Sequence, residues 1–134
     1  MSVIKSKRGE SAVEFLHTAR ELRIFTIQKC VRFPARYGPY VAEPMVKTAV
    51  SIHENVERAN RIYPSTREQA DLRLDYLTVA KWSVESLVSQ ISVAGELLDL
   101  SEETMQHWME LVDRETRLIA GIIKKDRERY KKLP

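Results

Sequence analysis

Glycine, proline and cysteine are all scarce in this sequence. Four glycines and five prolines among 134 residues leave few breaks in a chain that is 43% hydrophobic and 31% charged. This composition is typical of a helix-rich globular protein and excludes collagen-like and low-complexity chains. The single cysteine, Cys30, has no partner for an internal disulfide, so it gives no indication of secretion.

Long apolar runs are also missing. No stretch approaches the roughly 18 apolar residues of a membrane span, and the basic N-terminus leads into an amphipathic pattern rather than a signal peptide. We therefore expect a cytoplasmic protein without membrane association. Its length fits a single domain over residues 1–134.

Apolar residues recur at steps of three and four along four segments, whereas sustained alternation is absent. The pattern predicts an all-α fold with four helices over about residues 11–33, 41–63, 66–98 and 102–130. The expected core positions are Ala12, Phe15, Ala19, Leu22, Thr26, Cys30 and Phe33, then Met45, Ala49, Ile52, Val56, Ala59 and Tyr63, then Ala70, Leu74, Leu77, Ala80, Val84, Leu87, Ile91, Ala94 and Leu98, and finally Met105, Trp108, Val112, Ile119 and Ile123.

Three helix starts carry capping signals. Ser11 with Glu14 and Ser65 with Glu68 have the spacing of a capping box. Ser101 precedes two glutamates and is expected to cap the fourth helix.

Between the first two helices, FPARYGPYVAEP (residues 33–44) concentrates one glycine and three prolines. It lacks the Lys-Ser/Thr sequel of a phosphate loop, so we interpret it as a chain reversal. Gly38 is expected to take a positive φ there.

Short loops between four helices favour an antiparallel up-and-down four-helix bundle, in which both termini lie at the same end. Residues 1–39 carry eight Lys/Arg against three Asp/Glu, and residues 124–134 carry six against two. The topology would join the basic residues Lys5, Lys7 and Arg8 to those of the C-terminus in one electropositive pole.

Signals of catalysis and metal binding are weak. Glu14-x-x-His17 occurs once, whereas di-metal bundles need two copies, and His53-Glu54 lacks the second histidine of a zinc-protease helix. No phosphate loop or nucleophile elbow is present. We therefore predict no catalytic residue, no metal and no cofactor.

Apolar residues outside the core pattern suggest a contact surface. Val13, Ile24, Ile27 and Val31 form a second stripe on the first helix, and Trp82 points away from the core face of the third. Scattered surface hydrophobes are common, but a stripe together with an outward tryptophan favours an oligomer or partner interface.

The basic residues have two interpretations. A solvated terminus rich in Lys and Arg is the simpler one. The other is a footprint for nucleic-acid phosphate, specific for the backbone rather than for bases. The residues it would use are Arg20, Arg23, Lys29, Arg32, Arg36, Lys124, Lys125, Arg127, Arg129, Lys131 and Lys132.

Several short strings, taken together, resemble one bacterial family. They are Arg36-Tyr37-Gly38, Ala49-Val50-Ser51-Ile52-x-x-Asn55-Val56-x-Arg58, Asp75-Tyr76-Leu77-x-x-Ala80 with Ser83, Leu87, Gln90, Ile91 and Ala94, Leu100-Ser101, and Leu118-Ile119-Ala120-Gly121-Ile122-Ile123-Lys124. Over roughly residues 12–125 they resemble the four-helix-bundle family that includes 23S rRNA intervening-sequence proteins and the accessory variability determinant proteins of diversity-generating retroelements.

The resemblance implies a non-enzymatic protein that forms a homopentamer with basic surfaces and associates with a reverse transcriptase and its template RNA during mutagenic retrohoming. Intervening-sequence proteins usually place Glu-Gly after the Asn-Ile of helix 2, whereas this chain has Glu57-Arg58. That departure favours the retroelement branch. The alternative is a structural bundle encoded within a ribosomal RNA intervening sequence, whose partner is unknown.

Overall fold

The computed structural model describes the backbone of residues 3–134 and the side chains of residues 13–134. Within the described backbone, four α-helices make up most of the length: α1 (Val3–Cys30), α2 (Glu43–Asn60), α3 (Arg67–Leu97) and α4 (Glu102–Arg129). No strand occurs in the described backbone. The protein is all-α, as the apolar spacing predicts.

Both ends of α1 differ from the prediction. The helix begins at Val3, so Ser11 lies inside it and the predicted capping box is wrong. It ends at Cys30 rather than near Phe33, because the backbone tightens there: the Phe33 amide donates to the Cys30 carbonyl at 3.1 Å. Pro34 follows, and the residue before a proline is disfavoured in helical geometry.

The segment between α1 and α2 is wound into helical turns. Ala35–Tyr37 forms a 3₁₀ turn and Gly38–Ala42 a wider π-helical turn that runs directly into α2. Gly38 has φ −50° and ψ −62°, so the positive φ expected there is wrong. Val41 is buried. The segment therefore continues the apolar packing of α2 instead of forming an open loop.

The start of α3 lies one residue later than its predicted cap. Thr66 is the N-cap, and its hydroxyl accepts a hydrogen bond from the Gln69 amide at 3.2 Å. Gln69 in turn accepts from the Ser65 amide at 2.8 Å. The Ser65 and Glu68 box is therefore wrong, whereas the predicted Ser101 cap of α4 is confirmed by a 3.1 Å bond from the Thr104 amide.

Most of the predicted core positions are buried, including the large side chains of Phe15, Leu22 and Trp108. Ala12 lies outside the described side chains. Tyr63 is an exception, because α2 ends at Asn60 and the tyrosine is 83% exposed in the connection to α3. The buried side chains that the prediction did not include are Thr18, Val41, Asn55, Leu111, Glu115 and Asp126.

Each helix packs against its neighbours in the chain, and α1 also packs against α4. The indole Nε1 of Trp108 on α4 donates to the hydroxyl of Thr26 on α1 at 3.0 Å, in the core. At Gly95 a Cβ would lie 2.8 Å from the Met105 Cε, so the absent side chain lets Met105 approach the α3 backbone. Within residues 3–134 no helix is both long and apolar enough to cross a membrane.

Candidate nucleic-acid interface

The end of the chain presents the densest group of cations. We define the C-terminal basic segment as residues 124–132. All six of its Lys and Arg side chains are exposed: Lys124, Lys125, Arg127, Arg129, Lys131 and Lys132. They occupy the last turns of α4 and the turn that follows it.

The two carboxylates of this segment do little to offset that charge. Asp126 turns inward, and its Oδ2 accepts from the Nε of Arg73 on α3 at 2.6 Å. Glu128 is exposed, and its Oε1 lies 2.7 Å from the Nζ of Lys131. The surface of the segment therefore carries six cations and one carboxylate, which is more basic than its sequence composition indicates.

Contacts with α3 hold the segment in place. The Arg67 guanidinium donates to the Tyr130 carbonyl, and the Arg67 amide donates to the Pro134 carbonyl at 2.5 Å. α4 ends at Arg129, and Tyr130 is half-buried beyond it. Arg67 is a positioning residue that the sequence alone did not reveal, because its partner lies far along the chain.

Arg20 and Arg23 lie together midway along α1, on the side that faces α2. Arg20 is exposed, whereas Arg23 is partly buried and its Nη1 lies 3.2 Å from the Nδ1 of His53 on α2. Of this pair, Arg20 is the one available to a phosphate group.

A third group of cations lies where α1 ends. Arg32 and Arg36 are exposed, and Lys29 is partly exposed with its Nζ 5.3 Å from the centroid of the Phe25 ring. The Arg36 Cζ lies 5.1 Å from the centroid of the Tyr37 ring. Aromatic rings beside arginine and lysine are compatible with base stacking as well as with phosphate binding.

The structure does not join these cations into one patch. The end of α1 is level with Trp108 on α4 through the Thr26 contact, whereas the C-terminal basic segment begins near Asp126. Those two positions are separated by about 27 Å along α4, at a rise of about 1.5 Å per residue. Lys5, Lys7 and Arg8, the other half of the expected electropositive pole, lie outside the described side chains.

The apolar residues predicted to make protein contacts are mostly on the surface. Val13 is 66% exposed and Val31 73%, Ile24 is exposed, and Ile27 is partly buried. Trp82 on α3 is 61% exposed. We call Val13, Ile24, Ile27 and Val31 the α1 stripe.

Trp82 belongs to a longer row that the sequence reading missed. Exposed apolar residues recur along the outer side of α3, and we call them the α3 stripe: Leu72, Val79, Trp82, Val93 and Leu97. Ser86 and Ser89 are exposed where the three-four spacing would place two more members. Those serines interrupt the apolar pattern in the sequence, which is why the row was not recognised.

The described side chains offer neither a metal site nor a reactive thiol. Among the side chains of residues 13–134, no group of three or more His, Cys, Asp or Glu is placed to hold a metal ion. Cys30 is buried, and burial raises the pKa of its thiol to about 11. The thiol is therefore protonated near neutral pH and is a poor nucleophile.

Comparisons of the chain with models of protein families, with curated proteins and with solved structures found no match. The function proposed for this protein therefore depends on the geometry of its own residues and on the sequence resemblance given above.

Proposed function

We propose that this protein is a non-enzymatic, RNA-binding accessory protein of a diversity-generating retroelement, acting with a reverse transcriptase and template RNA. The observation that supports nucleic-acid binding best is the C-terminal basic segment, whose six cations are exposed while Asp126 is turned inward. Cations at this density neutralise phosphates and release counterions, which provides affinity without sequence preference. The retroelement assignment follows the family resemblance of the sequence.

The fold that we propose is an antiparallel up-and-down four-helix bundle. Contacts between α3 and α4 support it, because residue numbers fall along one helix as they rise along the other: Arg73 pairs with Asp126, and Gly95 lies against Met105. α2 and α3 show the same reversal, with Ser51 bonded to Ser83 and the Ala59 carbonyl to Arg73.

We further propose that the protein is a homo-oligomer, for which the family resemblance suggests five copies. The α1 and α3 stripes support self-association because they expose apolar side chains in rows, and such rows mark protein contacts more often than isolated residues do.

An RNA titration at several salt concentrations tests the phosphate footprint. Replacing Lys125, Arg129 and Lys132 by alanine removes three exposed cations from the C-terminal basic segment. Fluorescence anisotropy with single-stranded RNA should show weaker binding, and the slope of log affinity against log salt should fall by about two, at about 0.7 per phosphate contact.

A matched control removes the same charge elsewhere. Lys47, Lys81 and Arg114 are exposed and lie outside the predicted set, so their replacement by alanine should change the slope much less. Equal slopes for the two triple variants, or no RNA binding by the wild type at about 50 mM salt, would contradict the phosphate footprint.

Gene context tests the retroelement assignment. A reverse-transcriptase gene beside a repeated template and variable region is the expected neighbourhood. A position inside a ribosomal RNA gene would contradict the assignment and favour the intervening-sequence alternative.

A further inference from the structure

A shallow cleft of about 330 Å³ opens between α1 and α2. We call it the α1–α2 cleft; its lining side chains are Val13, Leu16, His17, Arg20, His53 and Glu57. Val13 and Leu16 are its apolar lining residues, which we call the floor, and the other four are polar. The volume lies at the lower limit for small-molecule sites, which suits one planar ring system rather than several.

His53 is held in one orientation at the side of the cleft. Arginine is always a donor, so the Arg23 Nη1 atom 3.2 Å away requires the His53 Nδ1 to be an unprotonated acceptor. The proton then lies on Nε2, which donates to the Glu57 carboxylate at 3.3 Å. Burial also lowers the pKa of His53, outweighing the nearby Glu57 carboxylate. The imidazole is therefore a neutral and oriented ring near neutral pH.

Arg20 differs from the other charged residues around the cleft. The His17 Nε2 lies 2.6 Å from the Glu21 Oε1, and the Glu57 carboxylate contacts both His53 and Arg61. Among the described side chains Arg20 forms no ion pair and no hydrogen bond, although it is exposed beside the cleft. A guanidinium in this position is available to a phosphate group.

An apolar floor, an oriented imidazole and an exposed guanidinium match the parts of a nucleotide. Proteins that accept an unstacked base pack it against aromatic or apolar side chains, and proteins that bind single strands place cations along the phosphates. A duplex hides the faces of its bases, so it could use the cation but not the floor.

We propose that the α1–α2 cleft binds one unpaired nucleotide of single-stranded nucleic acid, with the base against Val13 and Leu16 beside His53 and the phosphate on Arg20. This inference rests on the proposed nucleic-acid binding. It assigns Val13 to a nucleotide contact and leaves Ile24, Ile27 and Val31 as the apolar surface of α1.

Substitution of the floor tests this assignment without changing charge. Val13→Ser removes apolar surface from the cleft. Val31→Ser makes the same substitution at a similarly exposed valine that lies outside the cleft. Affinity would be measured by fluorescence anisotropy for a short single-stranded RNA and for the same strand in a duplex. We expect Val13→Ser to weaken single-strand binding roughly fivefold and to leave duplex binding unchanged, because only the single strand can place an unpaired base against the floor.

A second pair of variants tests the cation. Arg20→Ala and Arg114→Ala each remove one exposed arginine, so their general electrostatic effects should be similar. We expect Arg20→Ala to weaken single-strand binding several times more than Arg114→Ala does. Circular dichroism melting curves would verify that all four variants are folded.

The possible outcomes separate the two proposals. If the wild type binds RNA but Val13→Ser behaves like Val31→Ser, and Arg20→Ala like Arg114→Ala, the cleft assignment is wrong while RNA binding stands. If the wild type binds neither RNA at about 50 mM salt, both proposals are wrong. A loss confined to single strands in Val13→Ser, together with the larger loss in Arg20→Ala, supports the cleft.

Discussion

Glu115 carries a carboxyl group in the apolar interior of the protein. It lies on α4 with no exposed surface, and neither carboxylate oxygen has a hydrogen-bond partner among the described residues. Burial raises the pKa of this carboxyl from 4.5 to about 9. The folded protein therefore holds the group as a neutral acid near neutral pH, because ionising a buried carboxyl that has no partner would cost more free energy than keeping it protonated.

The raised pKa makes stability fall as pH rises. At pH values between the unfolded-state pKa of 4.5 and the folded-state pKa of about 9, the native state keeps a proton that the unfolded state loses. The free energy of unfolding should thus decrease by about 1.4 kcal/mol per pH unit from this group. We expect Glu115→Gln, which cannot titrate, to be more stable than the wild type by a few kcal/mol at about pH 8 and similar to it near pH 4.5.

Urea denaturation followed by circular dichroism at several pH values measures this effect. His53 and the other titrating groups contribute equally to both proteins, so the difference isolates Glu115. Glu110→Gln changes an exposed glutamate on the same helix and should follow the wild type. A constant difference between Glu115→Gln and the wild type across the pH range would show that Glu115 does not titrate as described.

The positions of Glu115 and Thr26 show how far residue patterns can be interpreted. The core stripe of α4 leaves a gap between Val112 and Ile119, and Glu115 fills it at helical spacing. The spacing therefore indicated an inward side chain, although its polarity argued against one. Thr26 was predicted to be in the core, but only the structure explains its hydroxyl, which accepts from the buried Trp108 indole.

At the level of the helices, Arg73 connects three elements. From α3 its Nε donates to Asp126 on α4 at 2.6 Å, and its Nη1 donates to the Ala59 carbonyl at the end of α2 at 2.8 Å and to the Ile62 carbonyl at 3.3 Å. Carbonyls in the last turn of a helix lack the usual intrahelical partner. The guanidinium bonds the Ile62 carbonyl and adds a donor to the Ala59 carbonyl, which also accepts from the Ile62 amide at 3.2 Å. The Arg73 and Asp126 side chains are only 12% and 8% exposed.

Removing this guanidinium should destabilise the protein strongly. Arg73→Ala leaves Asp126 as an uncompensated charge in a buried site, and such losses cost about 3–5 kcal/mol. Denaturant unfolding would measure the loss. Arg73→Met combined with Asp126→Leu should recover much of the stability, because the double variant leaves no unpaired charge.

A surface ion pair provides the comparison. The Arg58 Nη2 lies 3.4 Å from the Glu54 Oε2, and the two side chains are 50% and 45% exposed. Solvent screens such a pair, so Arg58→Ala should cost less than about 1 kcal/mol. Similar losses for Arg58→Ala and Arg73→Ala would contradict the role given to Arg73.

Helix boundaries were the least predictable feature of the elements. The long spacing patterns located all four helices, but local sequence signals misplaced both ends of α1, the start of α3 and the end of α2. Ser65 and Thr66 both resemble caps in sequence, and the choice depends on which hydroxyl reaches the Gln69 amide once α3 is packed. The turn at residues 38–42 is helical and buries Val41.

On the scale of the whole molecule, the two apolar stripes lie on helices that are not neighbours. α1 and α3 each pack mainly against α2 and α4, so their outer surfaces face different directions. Two unlike surfaces on one subunit favour a head-to-tail contact, which produces a ring when the rotation closes. This geometry agrees with the proposed homo-oligomer.

Self-association can be tested through Trp82. The proposal predicts that light scattering after gel filtration gives a mass above the 15.6 kDa of one chain. Trp82→Ser should lower that mass or raise the concentration needed for assembly by tenfold or more, since buried aromatic residues dominate protein interfaces. Trp82→Phe keeps most of the apolar surface and should assemble nearly as well.

Tyr63→Ser is the matched control, because Tyr63 is 83% exposed and belongs to neither stripe. It should leave the mass unchanged. A monomeric wild type, or equal effects of Trp82→Ser and Tyr63→Ser, would mean that the α3 stripe is not an oligomer interface.

The sequence by itself determined the helical fold and most of the core, because both follow from the 3.6-residue period of the helix, which is a local property. It also identified the residues that could bind phosphate, since charge is visible in composition. Only the tertiary structure decided which of these residues act together. Arg73 bonds the Asp126 carboxylate in the interior, so that carboxylate does not offset the basic surface, and Arg23 orients the His53 ring. These partners are 53 and 30 residues apart in the chain, and they meet only because helix packing brings them within hydrogen-bonding distance.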